Sequence, residues 1–228
     1  MTDLDLDTPR LSIRRHTRSN EDALVRWNTD LELHHLSDDD PQPPTAEGVR
    51  ATLTRWLEAP RPDVHQLGFH RRDTGEPVGF GTLAFVDATH GRCMVGLVIG
   101  ERALWGQGYG REALDGLLRL AFERLGLRRV GAQVYAFNDR SLRLFERAGF
   151  RREGVLRAHV LKDGAAHAID RCSRPRQLVG AMTELERQHP FLLGGAGTRD
   201  EGCEYGRARA PGDVKARHGV ADAGCLIA

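Results

Sequence analysis

The sequence predicts an α/β fold: one mixed sheet with helices packed on its faces. Three observations lead there. Stretches of period-two alternation, such as Val95-Leu97-Ile99 and Val130-Ala132-Val134, are interleaved with stretches of helical period, clearest from Arg111 to Leu125. Short polar turns, Asp73-Thr74-Gly75-Glu76 and Lys162-Asp163-Gly164, join some successive strands as antiparallel hairpins. Other strands are separated by a whole helix, which permits parallel neighbours.

In chain order, Leu11 to Arg15 alternates like a first strand. Glu21–Asp30 and Ala46–Leu57 read as helices, the second with Thr45 as its N-cap. Between them lies a polar, proline-rich loop, Ser37-Asp38-Asp39-Asp40-Pro41-Gln42-Pro43-Pro44. Val64–His70, Val78–Val86 and Arg92–Ile99 are the next strands. In the helix from Arg111 to Leu125, Leu114, Leu117, Leu118, Ala121, Phe122 and Leu125 share one face. A strand through Val134 follows, then a short helix capped by Asn138 and closed at Gly149. Val155–Leu161 and a returning strand from Ala165 complete the order.

A hydrophobic fraction of 40% in 228 residues suffices for one core. Lys+Arg of 33 against Asp+Glu of 32 gives a formal charge of +1, so no global field points to nucleic acid or to an anionic membrane. No apolar run has the length of a membrane span, and the acidic start MTDLDLDTPR is unlike a secretory signal. Cys93, Cys172, Cys203 and Cys225 lack C-x-x-C spacing, and the histidines lack His-x-x-x-His pairing, so no metal site is expected and a reducing cytoplasm is. Asp38, Asp39 and Asp40 do not have the spacing of a calcium loop.

Two linked signatures carry the chemistry. The first is the turn Trp105-Gly106-Gln107-Gly108-Tyr109-Gly110, set between a strand and a helix and followed by Arg111. Glycines opening into a helix leave backbone N–H groups converging at its positive end, a socket for a pyrophosphate. The spacing is not that of Gly-x-Gly-x-x-Gly, and no Gly-Lys-Ser/Thr ends it, so neither a dinucleotide fingerprint nor a nucleotide P-loop is read. The second is Asn138-Asp139-Arg140-Ser141, continuing through Phe145 to Gly149-Phe150.

Their order resembles the GNAT superfamily of acyl-CoA N-acyltransferases, in particular its RimJ/RimL-like branch, which commonly has an aromatic residue where Trp105 stands. The resemblance covers residues 11–170 and implies a mostly antiparallel sheet that splays open at the cofactor site. It implies acetyl-CoA as co-substrate. Backbone of Leu97, Val98 and Ile99 would pair with the pantetheine arm, Trp105, Gly106, Gln107, Gly108, Tyr109, Gly110 and Arg111 would hold the phosphates, and Asn138 and Ser141 would face the cofactor.

For catalysis the resemblance offers less. The tyrosine that protonates the departing thiolate in many members is replaced by Phe145, and Ser141 is the substitute. The glutamate often found in the strand before the turn is replaced by Met94; Glu101 is one alternative base, with Asp87 and His90 others. Cys93 has no activating histidine near it in sequence, so transfer is expected to be direct, in a ternary complex. The loop from His34 to Pro44 would set the acceptor: a protein N-terminus, a polyamine or an amino sugar.

The expected organisation is an acetyltransferase domain over residues 11–172, acting as monomer or homodimer. Residues 173–228 form a tail too poor in large apolar residues for a core of its own. The terminal Cys225-Leu226-Ile227-Ala228 matches a prenylation box literally but lacks a polybasic stretch before it. The reading from a different class is a regulatory module that binds acyl-CoA without turnover.

Overall fold

A computed structural model of the chain describes residues 4–176. The strands are β1 (Leu6–Asp7), β2 (Leu11–Arg15), β3 (His65–Arg71), β4 (Pro77–Asp87), β5 (Arg92–Ile99), β6 (Arg129–Tyr135), β7 (Arg151–Lys162) and β8 (Ala165–Pro175). The helices are α1 (Glu21–Asn28), α2 (Leu31–Ser37), α3 (Ala46–Glu58), α4 (Tyr109–Arg119) and α5 (Asp139–Arg147). The strands form one eight-stranded sheet in the order β1-β2-β3-β4-β5-β6-β8-β7. Only β5 and β6 run parallel among the neighbours, as the intervening α4 requires.

Alternation along the strands builds two cores. Leu11, Ile13, Leu97, Val130 and Val134 point to one face and pack under Leu114, Leu117 and Leu118 of α4. There the helix nearly touches the sheet: a Cβ on Gly116 would lie 2.3 Å from Ile13 Cδ1, so only glycine fits. Val98 points to the other face, where Leu24, Trp27, Leu33 and Leu53 cover it from α1, α2 and α3. The sheet is therefore sandwiched, and both clusters are almost wholly shielded from water.

Three features differ from the sequence reading. The first helix ends at Asn28, two residues before the expected Asp30, and Leu31–Ser37, whose second half is expected in the loop, forms α2; the Asp30 carboxylate caps it by accepting from Glu32 N and Leu33 N. The long helix narrows to α4 and then turns π-helical over Leu120–Arg124, where Leu125 N donates to Leu120 O. Pairing also extends beyond residues 11–172, since β1 joins β2 and β8 runs to Pro175. The tail from residue 177, with Cys203 and the terminal Cys-Leu-Ile-Ala, lies outside the described residues. No helix among the described residues is long and apolar enough to cross a membrane.

The sheet is incomplete at one place. β5 and β6 are paired only at Arg92↔Arg129, Cys93↔Val130 and Met94↔Gly131, yet they continue to Ile99 and Tyr135. Beyond Met94 the two strands diverge, and β5 keeps toward the gap a backbone edge that no neighbouring strand pairs.

Candidate active site

The direction of β5's hydrogen bonds decides which residues serve that edge. Gly100 N donates to Val78 O of β4 at 2.9 Å, so by strand alternation Val98 also turns its polar backbone to β4. Leu97 and Ile99 turn theirs into the gap. Of the trio expected to pair with a pantetheine arm, Val98 is thus on the wrong edge; its period-two offset decides the matter.

The glycine turn follows directly. Gly106 and Gly108 have φ of +75° and +84°, a region that favours glycine, and Gly108 is the N-cap of α4. The first intrahelical bond runs from Glu112 N to Gly108 O, leaving the N–H groups of Tyr109, Gly110 and Arg111 without helical acceptors. Those donors and the helix dipole are of the kind that suits an anion. Arg10 braces the turn from β2's side: Nη1 donates to Gln107 O at 3.0 Å, and its guanidinium lies 4.2 Å from the centre of the Tyr109 ring. Glu112 faces away from the socket. It accepts from Thr8 Oγ1, Arg10 N and Arg10 Nε, contacts that hold its carboxyl below the usual range against the cost of partial burial.

Across the turn stands α5. Asn138 Oδ1 accepts from Ser141 N at 3.1 Å, the cap expected from sequence. Ser141 is 1% exposed, and its Oγ has no hydrogen-bond partner among the described residues. A buried hydroxyl left unpaired is costly, and here it borders a cavity of about 290 Å³ between α4 and α5. Ile99, Trp105, Gly106, Gly108, Gly110, Arg111 and Ser141 line it, whereas Leu97, Val98, Gln107, Tyr109 and Asn138 do not. Arg140, Arg143 and Arg147, overlooked in the sequence, line it as well; their i, i+3, i+7 spacing on α5 was the available signal. Arg140 lies 4.0 Å from the Trp105 ring centre, and Trp105 Nε1 donates to Ile99 O at 2.6 Å. Arg111 spends part of its charge on Asp115 at 2.8 Å and donates to Arg147 O at 2.7 Å, tying α4 to α5.

A family model described as an acetyltransferase (GNAT) domain matches residues 10–151, which include the split, the turn and α5. This chain belongs to the GNAT acetyltransferase family. It is 35% identical over 101 residues to the uncharacterized N-acetyltransferase YoaA of Bacillus subtilis (strain 168), an alignment covering 44% of this chain and 56% of that protein. With the uncharacterized N-acetyltransferase p20 of Bacillus licheniformis it shares 26% over 162 residues, 70% of this chain and 89% of the relative. Among solved structures, spermidine N-acetyltransferase from Vibrio cholerae, in complex with CoA and spermine, superposes with a TM-score of 0.67 at 15% identity, covering 74% of this chain and 97% of that one. Ribosomal-protein-S5-alanine acetyltransferase from Vibrio fischeri gives 0.64 at 18%, covering 77% and 98%. At these identities the two structures speak for the fold.

Within this GNAT domain the expected catalytic residues separate. Glu101 is not beside Ser141. Its Oε1 accepts from Arg26 Nη2 at 2.5 Å and Trp27 Nε1 at 3.0 Å, so it fastens α1 to the end of β5 and lines a different cavity. That placement gives it a structural tie away from the cavity beside Ser141. The Asp87 carboxyl is held low by His90 N–H and Arg92, which weakens it as a base. Phe145 is 1% exposed and packs edge-on against Phe150 at 4.8 Å, so it serves the core. Burial pushes the Cys93 thiol up to about 12, which makes it a poor nucleophile.

A second cavity, of about 690 Å³, lies over the paired start of β5 and β6 and reaches Gln133, just past the point where they part, with Met94, Arg171 and Asp39 also on its walls. The acidic loop is strapped over this region. Tyr135 Oη donates to Asp39 Oδ1 at 2.6 Å, Lys162 Nζ donates to Asp38 O, and Asn138 Nδ2 donates to Leu36 O at 3.4 Å. Burial and the adjacent Asp39 keep the Tyr135 phenol protonated by raising its pKa. Asn138 thus connects the cavity beside Ser141 to the loop of the second cavity.

Proposed function

We propose that this chain is an acetyl-CoA-dependent N-acetyltransferase of the RimJ/RimL-like branch. It moves an acetyl group to a primary amine by direct transfer in a ternary complex. The observation that carries the reading is the Ser141 hydroxyl, buried without a partner at the cavity shared by the α4 socket and the free edge of β5.

The residues present fit the co-substrate. Unpaired N–H groups at the start of α4 suit a pyrophosphate, and the arginines of α5 suit further phosphate charge. Ile99 N–H and the backbone of Leu97 suit an amide-bearing arm laid along β5. Acetyl-CoA supplies the activated thioester when bound. Ser141 Oγ then finds the hydrogen-bond partner it lacks and relays to the departing sulfur, directly or through a water, the proton that the attacking amine gives up. Backbone N–H groups at the split polarise the thioester carbonyl. Among the described residues no side chain is suited to take the acyl group: Cys93 is a buried, high-pKa thiol. The free thiols Cys93 and Cys172 accord with a cytoplasmic, reducing setting.

The acceptor reaches the thioester from the 690 Å³ cavity, whose lining extends toward the split at Gln133. Spermidine and ribosomal-protein acetyltransferases share this fold, so polyamines and protein N-termini are natural first acceptors to assay, with amino sugars beside them. A steady-state assay of CoA release against such a panel tests the reading. Amine-dependent release is expected; tight acetyl-CoA binding without any amine-dependent release would instead make the chain an acyl-CoA-binding module.

A further inference from the structure

We propose that the amine acceptor of this protein carries a carboxylate, received by Arg171 and Gln133 in the 690 Å³ cavity. The inference rests on the acetyltransferase reading and narrows its acceptor to an amino acid or a short peptide with a free C-terminal carboxylate.

The charges of the cavity mostly cancel in pairs. Glu153 is saturated: both its oxygens take Arg129, one at 2.8 Å, and Ser173 Oγ donates to it at 2.7 Å. Asp87 pairs with Arg92 at 3.3 Å, and Asp63 with Arg61 at 2.7 Å. Arg171 has no such close pair, although after Arg129 its charge also helps hold the Glu153 carboxyl low. It lines the cavity and has no ion pair among the described residues. Its register partner across β8 and β6 is Gln133, which also lines the cavity. Opposed residues of antiparallel strands have adjacent side chains, so a guanidinium fork and an amide stand together. That pair matches a planar carboxylate, bound bidentately by the arginine and supplemented by the amide N–H.

The opposite charge sits further along the same strand. Tyr135, two residues from Gln133 on one face of β6, holds Asp39 at the cavity wall. Two residues of strand amount to roughly 7 Å. That backbone spacing, extended by the side chains, sets Asp39 and Arg171 apart along the wall, so that a short amino acid or peptide bridges an amine at Asp39 and a carboxylate at Arg171. A polyamine would instead place a second ammonium against Arg171, a like-charge contact that disfavours it.

The test uses the full chain with acetyl-CoA, and diglycine, diglycinamide and spermidine as acceptors. Diglycine is expected to exceed diglycinamide in kcat/KM by about tenfold or more, as a charge-assisted hydrogen-bond pair warrants. Arg171→Ala should bring that ratio near one through KM, Arg171→Lys should recover part of it, and calorimetric acetyl-CoA affinity should stay unchanged in both. Spermidine as the best acceptor, a ratio near one in the wild type, or a ratio that survives Arg171→Ala would overturn the inference. Failure of the wild type to bind acetyl-CoA would overturn the acetyltransferase reading itself, so the two failures are told apart.

Discussion

Replacing Gly108 with alanine separates the socket's two demands, on backbone conformation and on open space. Gly108 has φ of +84°, and a Cβ there would meet only Arg10 Nη2 at 3.4 Å, the end of a flexible side chain. The conformational cost is therefore the main loss of stability, about 1–2 kcal/mol for an L-residue in the left-handed region. In a domain of this size that lowers Tm by roughly 2–8 °C. Gly126 offers a matched control, with φ of +66°, nothing within 4 Å of its Cβ, and a position outside the cavity. Gly126→Ala should lose the same stability. Only Gly108→Ala should also lose acetyl-CoA affinity, because its methyl crowds the wall where phosphates approach backbone and disturbs Arg10's hold on Gln107 O. A Kd at least about tenfold higher is expected, or ~1.4 kcal/mol. Thermal melts and calorimetry on the two variants decide it. Equal affinity loss in both, or unchanged affinity in Gly108→Ala, would show that the turn is a geometric feature without a phosphate role.

Ser141→Ala should lower kcat by about 10²–10⁴-fold with acetyl-CoA affinity nearly intact, and a drop under about threefold would reduce Ser141 to a helix residue. Glu101→Gln should leave kcat within about threefold and cost at most ~1 kcal/mol in urea melts, as befits a partly exposed tie to Arg26; a large kcat loss would restore it as the base. The third concerns His16, whose burial holds its pKa down to about 4 while an unfolded histidine stays near 6.5. The unfolded chain then binds a proton that the folded chain refuses, so stability is full above about pH 6.5 and falls by about 3 kcal/mol as pH drops to about 4. His16→Gln should flatten that slope in urea titrations, and an unaltered slope would move the effect to other groups such as His65 and His70, whose pKa values burial also lowers.

The sequence made the framework of the site legible because its signals are local. Glycine spacing marks the turn, Asn138 marks the cap of α5, and alternation marks β5 residue by residue from Arg92 to Ile99. What remained hidden depends on register and on distant partners. Val98 faces β4 because Gly100 N bonds Val78 O, a pairing no local pattern states. Glu101 reads as a free acid until Arg26 and Trp27, far away in sequence, arrive on α1. The short α2 rests on the Asp30 cap and on burial of Leu33, with histidines and serine that favour helix weakly. The pairing of Gln133 with Arg171 likewise emerges only when β8 inserts between β6 and β7.

The most direct test of the central claim is mass spectrometry on one reaction mixture of the full chain, acetyl-CoA and the amine panel. The account predicts an amine gaining one acetyl group in step with CoA release, while the intact protein, Cys93 included, keeps its mass. CoA release with the acetyl group on the protein would contradict direct transfer, and an unmodified panel beside bound, unconsumed acetyl-CoA would contradict the enzyme itself.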